Sequence, residues 1–339
     1  MNRGNEVRVA LVGAGRIAKV HAHAYRNVSR GRLVGCTDPD APAAAKLAAD
    51  FDLKVYDDLD ALLADDGVDA VLIASPNRLH PEQTIAALDA GKHVFCQKPI
   101  ALTLADADRV VERAAASDRI LQFGFMLRFT PPIPELERRI AGGEIGTLVA
   151  AQAAVFGWEP TNDWFYDPAQ GGGVILDTLV HFADLVLWLL GPAESVHTEG
   201  GAYVLAGAKR FGSPDNATLL IRHASGVASS MYVSWTAGHG NFTLDVFGAD
   251  GRVGVDLVRA QAMTTYRPPK ADPDGGLTGW TYPDMVWDYG YAGEQQYFVD
   301  RVAGRVDGSR TGSPAAARDA LALVLAAQRS LDERRTVLL

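Results

Sequence analysis

Residues 7–18, which read VRVALVGAGRIA, decide the fold. The apolar run of residues 7–12 is typical of a buried β-strand, and a helical pattern follows from about residue 16 to residue 28. Between them, GAGRIA matches the dinucleotide fingerprint G-x-G-x-x-G/A, with alanine in the last position. Gly13 permits a tight turn there, and Gly15 lets the backbone approach a pyrophosphate.

The helix that opens at this turn offers N–H groups to an anion. An acid, Asp38, stands twenty residues beyond Ala18 at the end of the second predicted strand, where a carboxylate binds the adenosine ribose and repels a 2′-phosphate. The pattern therefore predicts NAD rather than NADP, with these residues as contacts: Gly13, Gly15, Arg16, Ile17 and Asp38. The alternative is a glycine turn in another kind of α/β protein, in which Asp38 only caps a helix.

Short β-rich runs alternate with alanine-rich helical stretches through the first third of the chain. Strands that alternate with helices pair in parallel, because a parallel pair needs a long crossover connection. The predicted strands are residues 7–12, 33–37, 54–56, 70–74, 93–96 and 120–125, and the predicted helices are residues 16–28, 41–51, 81–90 and 104–117. We therefore predict an α/β Rossmann domain, with a doubly wound parallel sheet, over residues 1–125.

Beyond about residue 148 the pattern changes. Strand candidates follow at residues 149–156, 217–223, 227–235, 242–247 and 252–257, and helices are predicted at residues 174–190, 288–304 and 314–334. From residue 217 onward the connections between strands are too short for helices, which favours hairpins. This predicts an α+β domain over residues 126–339 with a large, mainly antiparallel open sheet. Pro131–Pro134 marks the crossing between the two domains, and Pro268–Gly279 is a predicted loop.

Polar side chains follow the fourth and fifth predicted strands at the point where each strand ends. Open α/β sheets bind ligands at these carboxyl ends, so Lys98 is expected beside the nicotinamide. The predicted cofactor contacts of the two segments are Ser75, Pro76, Asn77, His80, Gln97 and Lys98. For His80, contact with the cofactor and an ordinary place in the loop are both open, and Lys98 could be a surface lysine.

A third polar group begins at the triple glycine of residues 171–173, which precedes a predicted helix. Asp177 and His181 are four residues apart on that helix, so their side chains are expected on one face. A carboxylate beside an imidazole orients the ring and tunes its basicity, as general acid–base catalysis requires. The alternative is a core histidine with Asp177 as its partner.

With these motifs in order, the sequence resembles the family of glucose-fructose oxidoreductase, inositol dehydrogenase and MocA (Gfo/Idh/MocA). The resemblance covers essentially the whole chain. It rests on the fingerprint at residues 13–18, Lys98-Pro99, Arg128-Phe129, and the triple glycine with Asp177 and His181. It implies an NAD-dependent oxidoreductase that transfers a hydride between nicotinamide and a secondary alcohol or ketone of a sugar, sugar derivative or inositol-like cyclitol. The family's catalytic groups fall on Lys98, Asp177 and His181.

The sequence departs from the family at residue 97, where glutamine replaces the usual glutamate. Gln97 keeps its hydrogen-bonding capacity but places no negative charge beside Lys98, which favours the neutral lysine. The division of proton transfer between Lys98 and His181 is therefore open. We predict His181 as the main base, oriented by Asp177, with Lys98 polarising the reacting oxygen.

Aromatic side chains near residues 158–166 are suited to the C–H surfaces of a sugar. The predicted substrate-binding set is Lys98, Arg128, Trp164, Asp177 and His181, and Trp158 and Tyr166 are further candidates. The aromatic residues and Arg128 could equally belong to the core or to a domain interface.

The bulk composition limits the classes of partner. Net charge is −9, and no basic cluster is present, which argues against nucleic acid. Cys36 and Cys96 stand singly in apolar segments, which indicates neither a disulfide framework nor a metal site. No apolar run reaches membrane-spanning length, and no secretory signal precedes the first strand. We predict a cytoplasmic homodimer or homotetramer that acts on a small polyol or sugar, without a metal.

Two other functional classes fit the same pattern. One is an NAD-retaining, redox-neutral enzyme of this fold that cleaves glycosides, and the other is a non-catalytic NAD-binding sensor. Net NADH formation distinguishes a dehydrogenase from the first class. Turnover on a panel of polyols distinguishes it from the second.

Overall fold

The computed structural model describes residues 6–157, 159–237, 241–257, 262–266, 277–280 and 290–339. The chain divides into two compact units. The first comprises Met1–Met126 and Gly290–Arg318, and the second comprises Leu127–Tyr289 and Asp319–Leu339. The sequence-based division between residues 125 and 126 assigns residues 290–318 to the second part, whereas their contacts lie in the first unit.

The described strands are β1 (Val7–Val12), β2 (Gly31–Thr37), β3 (Lys54–Val55), β4 (Ala70–Ile73), β5 (His93–Gln97), β6 (Leu121–Gly124), β7 (Leu148–Phe156), β8 (Ala193–Gly201), β9 (Asn216–His223), β10 (Ala228–Ser234), β11 (Asn241–Gly248), β12 (Gly251–Asp256), β13 (Ala262–Tyr266), β14 (Leu277–Trp280) and β15 (Val337–Leu338). The described α-helices are α1 (Arg16–Ala24), α2 (Ala41–Phe51), α3 (Leu59–Leu63), α4 (His80–Asp89), α5 (Leu104–Ala115), α6 (Ile133–Ala141), α7 (Val180–Leu190), α8 (Ala206–Phe211), α9 (Tyr291–Val302) and α10 (Pro314–Glu333).

The sheet of the first unit has six parallel strands in the order β3-β2-β1-β4-β5-β6. This confirms the predicted doubly wound parallel sheet. Every residue of β4 is buried, as expected for a strand that is covered on both faces. The strand order reverses between β1 and β4, and open α/β sheets bind their ligands at such a switch point.

Helix α9 joins the first unit from a distant part of the sequence. It packs against α1, and its Phe298 and Val299 are fully buried in the core that contains Val9 and Leu11 of β1. Hydrophobic periodicity predicts a helix near this position, but it does not tell which sheet the apolar face covers. The sequence-based division therefore assigns α9 to the second part.

Among the described residues, the sheet of the second unit has nine strands in the order β14-β13-β12-β11-β7-β10-β9-β8-β15. Neighbouring strands are antiparallel except β7 and β10, which run parallel, and the prediction of a mainly antiparallel sheet is confirmed.

Three details of the second unit differ from the prediction. Strand β8 was not expected, because its sequence, AESVHTEGG, is polar and ends in glycine. The loop predicted for residues 268–279 includes the start of β14, and residues 268–276 lie outside the described residues. Helix α6 was not expected either, and it begins within the proline segment at 131–134, with Pro134 in its first turn, where proline is tolerated.

Candidate active site

The fingerprint turn lies at the carboxyl end of β1, next to the end of β4. Gly13 has a φ of +105°, and a Cβ atom there would fall 2.8 Å from the carbonyl oxygen of Ala74, so this position requires glycine. Gly15 precedes helix α1 and is exposed, and a Cβ atom there would meet no described atom within 4 Å. The turn therefore presents backbone N–H groups, at the positive end of α1, to an anion such as a pyrophosphate.

Asp38 follows β2 and faces the same turn. Its Oδ2 atom accepts a hydrogen bond from the Ala14 N–H at 2.7 Å, and its Oδ1 atom accepts one from the Asp40 N–H at 2.8 Å. These bonds hold the carboxylate beside the fingerprint, where this kind of fold binds a ribose. Helix α2 is capped by Asp40, which accepts from the Ala43 N–H. The alternative interpretation, in which Asp38 only caps a helix, is therefore disfavoured, because the cap of α2 is Asp40.

The segment after β4 brings an unsatisfied donor to the same edge of the sheet. Asn77 is 5% exposed and begins a short 3-10 turn. Among the described residues, no acceptor lies within hydrogen-bonding distance of its Nδ2 atom. A buried donor left in this state is costly, and a ligand that accepts the bond removes the cost. Asn77 and the glycine cradle thus fit a dinucleotide. The remaining predicted contacts lie beside them: Ser75 and Pro76 precede Asn77, and Arg16 and Ile17 begin α1.

His80 differs from the other predicted cofactor residues because its ring is enclosed. The residue is fully buried, with Nδ1 2.7 Å from the Pro99 carbonyl oxygen and Nε2 3.0 Å from the Ser75 carbonyl oxygen. Both ring nitrogens thus contact the protein's own backbone. This geometry favours the loop interpretation of His80 over direct contact with a cofactor.

Gln97 ends β5 and points into a buried polar cluster. Its Nε2 atom lies 2.5 Å from Nε2 of His21, and Nδ1 of His21 lies 3.2 Å from Nε2 of Gln295. Burial lowers the pKa of His21 to about 3, so the imidazole is neutral and needs one donor and one acceptor, which two amide groups can supply. The next residue, Lys98, is half-buried rather than enclosed.

In the second unit, close packing explains the triple glycine. A Cβ atom at Gly171 would fall 2.5 Å from the Trp164 carbonyl oxygen, and one at Gly173 would overlap the Ser213 hydroxyl. Gly172 and Gly173 also have φ values of +79° and +74°, in the left-handed region that favours glycine. The turn therefore holds the start of the following helix against two neighbouring segments.

Asp177 and His181 lie on that helix, but the helix is not regular. Ile175–Leu179 form a π turn, and α7 begins at Val180. Both side chains are half-buried. π turns are rare and occur frequently at functional sites. The helix predicted at residues 174–190 is present, but periodicity does not reveal the extra residue that a π turn holds.

A side chain that the sequence interpretation missed supports the acid. The indole N–H of Trp235 donates to the Thr178 hydroxyl at 2.8 Å, and that hydroxyl lies 3.5 Å from Oδ2 of Asp177. Trp235 is buried and meets the ring of Tyr166 edge-on, with 5.4 Å between the centroids. Trp235 thus holds the residue that follows Asp177 in place.

Arg128 is enclosed in the second unit. Its guanidinium donates to both carboxylate oxygens of Asp184, at 2.7 and 2.6 Å, and lies 5.0 Å from the ring centroid of Trp188. The Arg128 and Asp184 side chains are only 5% and 1% exposed. This geometry favours the core alternative for Arg128 over substrate contact, because its charge is already paired with the helix that carries His181.

The aromatic candidates differ in their exposure. Trp164 is half-buried and stacks on Phe165, with 3.8 Å between the centroids, so it stays a candidate for substrate contact. Tyr166 is buried, which favours the core interpretation, and Trp158 lies outside the described residues. In the described part of the chain, no cluster of three or more His, Cys, Asp and Glu side chains could hold a metal ion. None of the described helices is long and apolar enough to cross a bilayer.

Comparisons with known proteins agree with this arrangement. Residues 7–125 match the family model described as "Oxidoreductase family, NAD-binding Rossmann fold". This range contains the glycine cradle and Asp38. Residues 133–254 match the model described as "GFO/IDH/MocA C-terminal domain", which contains the π turn and α7.

Individual proteins extend the similarity to almost the whole chain. The sequence is 29% identical to myo-inositol 2-dehydrogenase of Thermotoga maritima, over 98% of each chain. It is 33% identical to 1,5-anhydro-D-fructose reductase of Ensifer adhaerens, over 76% of this chain and 77% of that one. A structure of levoglucosan dehydrogenase with NADH has a TM-score of 0.89 over 98% of this chain and 99% of that one, at 20% identity, a likeness of fold alone. The cradle, the second sheet and these relatives together establish that the chain belongs to the Gfo/Idh/MocA family and is an NAD-binding oxidoreductase.

Proposed function

We propose that the protein is an NAD-dependent dehydrogenase or reductase that acts on a secondary alcohol, or the matching ketone, of an inositol-like cyclitol, a sugar or a sugar derivative. The observation that carries the proposal is the combination, in one chain, of an NAD cradle with a half-buried Lys98 and with Asp177 and His181 around a π turn. The names of two relatives, myo-inositol 2-dehydrogenase and 1,5-anhydro-D-fructose reductase, support this substrate class.

The cofactor is held by the carboxyl ends of β1, β2, β4 and β5. NAD supplies a hydride acceptor, and NADH a hydride donor, at the nicotinamide ring. Gly13 shapes the turn, the backbone N–H groups of residues 15–17 bind the pyrophosphate, Asp38 binds the adenosine ribose, and Asn77 Nδ2 donates to the ligand. Further contacts are proposed for Ser75, Pro76, Gln97 and Lys98. Asp38 disfavours a 2′-phosphate, which makes NADP the poorer cofactor.

Three side chains handle the proton and the charge on the substrate oxygen. His181 accepts the hydroxyl proton during oxidation and returns it during reduction. Asp177 hydrogen-bonds the imidazole and stabilises the imidazolium that forms. Lys98 donates a hydrogen bond to the reacting oxygen and so stabilises the negative charge that develops there. Trp164 is the proposed aromatic contact for the C–H face of the substrate.

The proposal includes a cytoplasmic homodimer or homotetramer that associates through the outer face of the nine-stranded sheet. In support, Leu220 of β9 is 58% exposed on a strand whose other face is buried, so this strand leaves one face of the sheet open. Cys36 and Cys96 are both free thiols, as expected in a reducing compartment.

The test is a screen of cyclitols, sugars and their keto forms with NAD and NADP, followed by the absorbance of the reduced cofactor. We expect stoichiometric NADH from at least one cyclitol or sugar, faster with NAD than with NADP, and loss of turnover in Lys98→Met. Lys46→Met, which changes an exposed lysine on α2, is the matched control and should keep its activity. Glycoside cleavage without net NADH, or no turnover on any compound, would contradict the proposal.

A further inference from the structure

The ring of His80 contacts two segments of the candidate site. His80 is the first residue of α4, and its Nδ1 atom lies 2.7 Å from the carbonyl oxygen of Pro99, the residue after Lys98. Its Nε2 atom lies 3.0 Å from the carbonyl oxygen of Ser75, in the segment after β4. Strands β4 and β5 are parallel neighbours, with Ile73 opposite Cys96, so both segments leave the sheet at the same edge.

Only one of these two contacts can be a hydrogen bond when the ring is neutral, because a neutral imidazole carries one N–H. Burial lowers the pKa of His80, the Pro99 and Ser75 carbonyl groups oppose this shift, and the charge of Lys98 adds to it. The net direction is downward, so the neutral ring predominates near pH 7. The Nδ1 contact is the shorter of the two and is fully buried, whereas the Nε2 contact is only partly buried. The proton therefore belongs on Nδ1, where it serves Pro99.

We propose that His80 is a positioning residue for Lys98: its Nδ1–H group holds the Pro99 carbonyl and thereby fixes the backbone from which the lysine side chain extends. The inference rests on the role of Lys98 in the proposed function. A catalytic group that is displaced by about 1 Å can lower turnover about a hundredfold, so one backbone bond beside Lys98 can matter for the rate. If His80 only filled space, turnover would not depend on which of its two ring nitrogens is replaced.

Two amide substitutions separate the ring nitrogens. In His80→Asn the side-chain amide reaches the position of Nδ1 and can still donate to Pro99. In His80→Gln the amide reaches the position of Nε2 and can donate only to Ser75. Each variant places one amide in the same buried site, so their melting temperatures should fall by similar amounts. We expect kcat of His80→Gln to be at least about tenfold below that of His80→Asn, while NAD affinity remains similar in both variants.

The outcomes distinguish this inference from the proposed function. Equal kcat values in the two variants, or a faster His80→Gln, together with an inactive Lys98→Met, would overturn the positioning role and leave the proposed function intact. Full activity of Lys98→Met would instead contradict the proposed function. If neither His80 variant folds, ¹⁵N NMR of the wild-type imidazoles decides. A proton on Nδ1 of His80 near pH 7 supports the proposal, and a proton on Nε2 alone overturns it.

Discussion

In the first unit, His80 binds the backbone beside Lys98 from nearby in the sequence, whereas in the second unit the contacts that support Asp177 and His181 come from far along the chain. Gln97, on the other side of Lys98, is the exception in the first unit, because it contacts His21 across 76 residues. His80 reaches Pro99 across 19 residues and Ser75 across five. Trp235 reaches Thr178 across 57 residues, and Arg128 reaches Asp184 across 56. The first half of the proposed site, around Lys98, thus depends on a strand, a turn and a helix that follow one another, together with the distant contact at Gln97. The second half depends on tertiary packing.

The two halves also differ in charge. The buried polar cluster next to Lys98 consists of Gln97, His21 and Gln295. Its groups are neutral, since His21 is uncharged and its two partners are amides. The helix of His181 is instead anchored by an ion pair that is almost completely buried. Removal of one partner from such a pair leaves an uncompensated charge in the interior, which is far more costly than the loss of a neutral hydrogen bond. We therefore expect the second half to be the more sensitive to single substitutions.

The largest effect is expected for Arg128→Leu, which leaves Asp184 buried without its cation. The free energy of unfolding should fall by about 3–5 kcal/mol, measured by denaturant titration at pH 7. Burial raises the pKa of Asp184 and Arg128 opposes this, so the variant favours the protonated acid. A carboxyl group whose pKa rises on folding stabilises the fold at low pH and loses that contribution as the pH rises through the folded pKa. The deficit should therefore shrink in acid.

The control for this prediction is the double variant Arg128→Leu with Asp184→Leu. It removes both charges and should recover most of the lost stability, because apolar residues often replace a buried ion pair at little cost. If Arg128→Leu alone were as stable as the wild type, the buried ion pair would contribute nothing to stability, and the difference in charge between the two halves would not make them differ in sensitivity.

The sequence alone predicts most of the first half because its signals are local. The fingerprint predicts Gly13 and Gly15, the end of the second strand predicts Asp38, and in the structure Asp38 accepts a hydrogen bond from Ala14 of the fingerprint turn. What it misses is the partner of each ring nitrogen of His80. Those partners are backbone carbonyl oxygens, which no side-chain pattern identifies.

In the second half, the sequence names the polar groups but not what holds them. Asp177 and His181 follow from their spacing and from the triple glycine. The π turn, the Trp235 bond and the Arg128 pair do not, because each depends on packing between residues that are distant in sequence or on one extra residue in a helical turn. The sequence therefore predicts a substrate contact at Arg128, whereas in the structure its charge is paired with Asp184 inside the unit.

A second variant tests the proposed base. His181→Ala should lower kcat about a hundredfold or more, the usual range for a positioned general base, while NAD affinity stays nearly unchanged. His197→Ala is the matched control, since His197 lies half-exposed on β8 and has no proposed role in the reaction. Steady-state kinetics and NAD titration of both variants provide the measurement. If His181→Ala kept the turnover of the wild type, His181 would not be the base and would serve only in packing.

A smaller effect is expected for the support of Asp177. Trp235→Phe keeps an aromatic ring against Tyr166 but removes the N–H that donates to Thr178. Loss of one such bond is worth about 1 kcal/mol, so kcat should fall by about threefold to tenfold. Thr178→Val should behave alike, whereas Thr178→Ser retains the hydroxyl and should retain most of the rate. If Thr178→Ser were as slow as Thr178→Val, the hydroxyl would not be the supporting group.

The smallest effect is expected for Gln97→Glu. This variant tests whether a negative charge at position 97 influences Lys98. A carboxylate beside Lys98 favours the charged ammonium form by attraction and should move the lysine-dependent limb of the pH profile to higher pH. In the structure, however, the side chain at position 97 lies 2.5 Å from His21 and not in open solvent. The carboxylate introduced by Gln97→Glu should therefore bind a protonated His21, raise the low pKa of that imidazole and cancel its own charge. We expect the limb of the single variant to move little.

The double variant Gln97→Glu with His21→Gln separates the two effects, because position 21 can then no longer carry a compensating proton. In that background the limb should move to higher pH, by an amount that corresponds to about 1.4 kcal/mol for each pH unit. The measurement is kcat against pH for the wild type, both single variants and the double variant. A limb that shifts fully in Gln97→Glu alone would show that His21 does not buffer the charge. A limb that shifts in neither background would show that residue 97 has no electrostatic influence on Lys98, and that its neutral cluster serves packing alone.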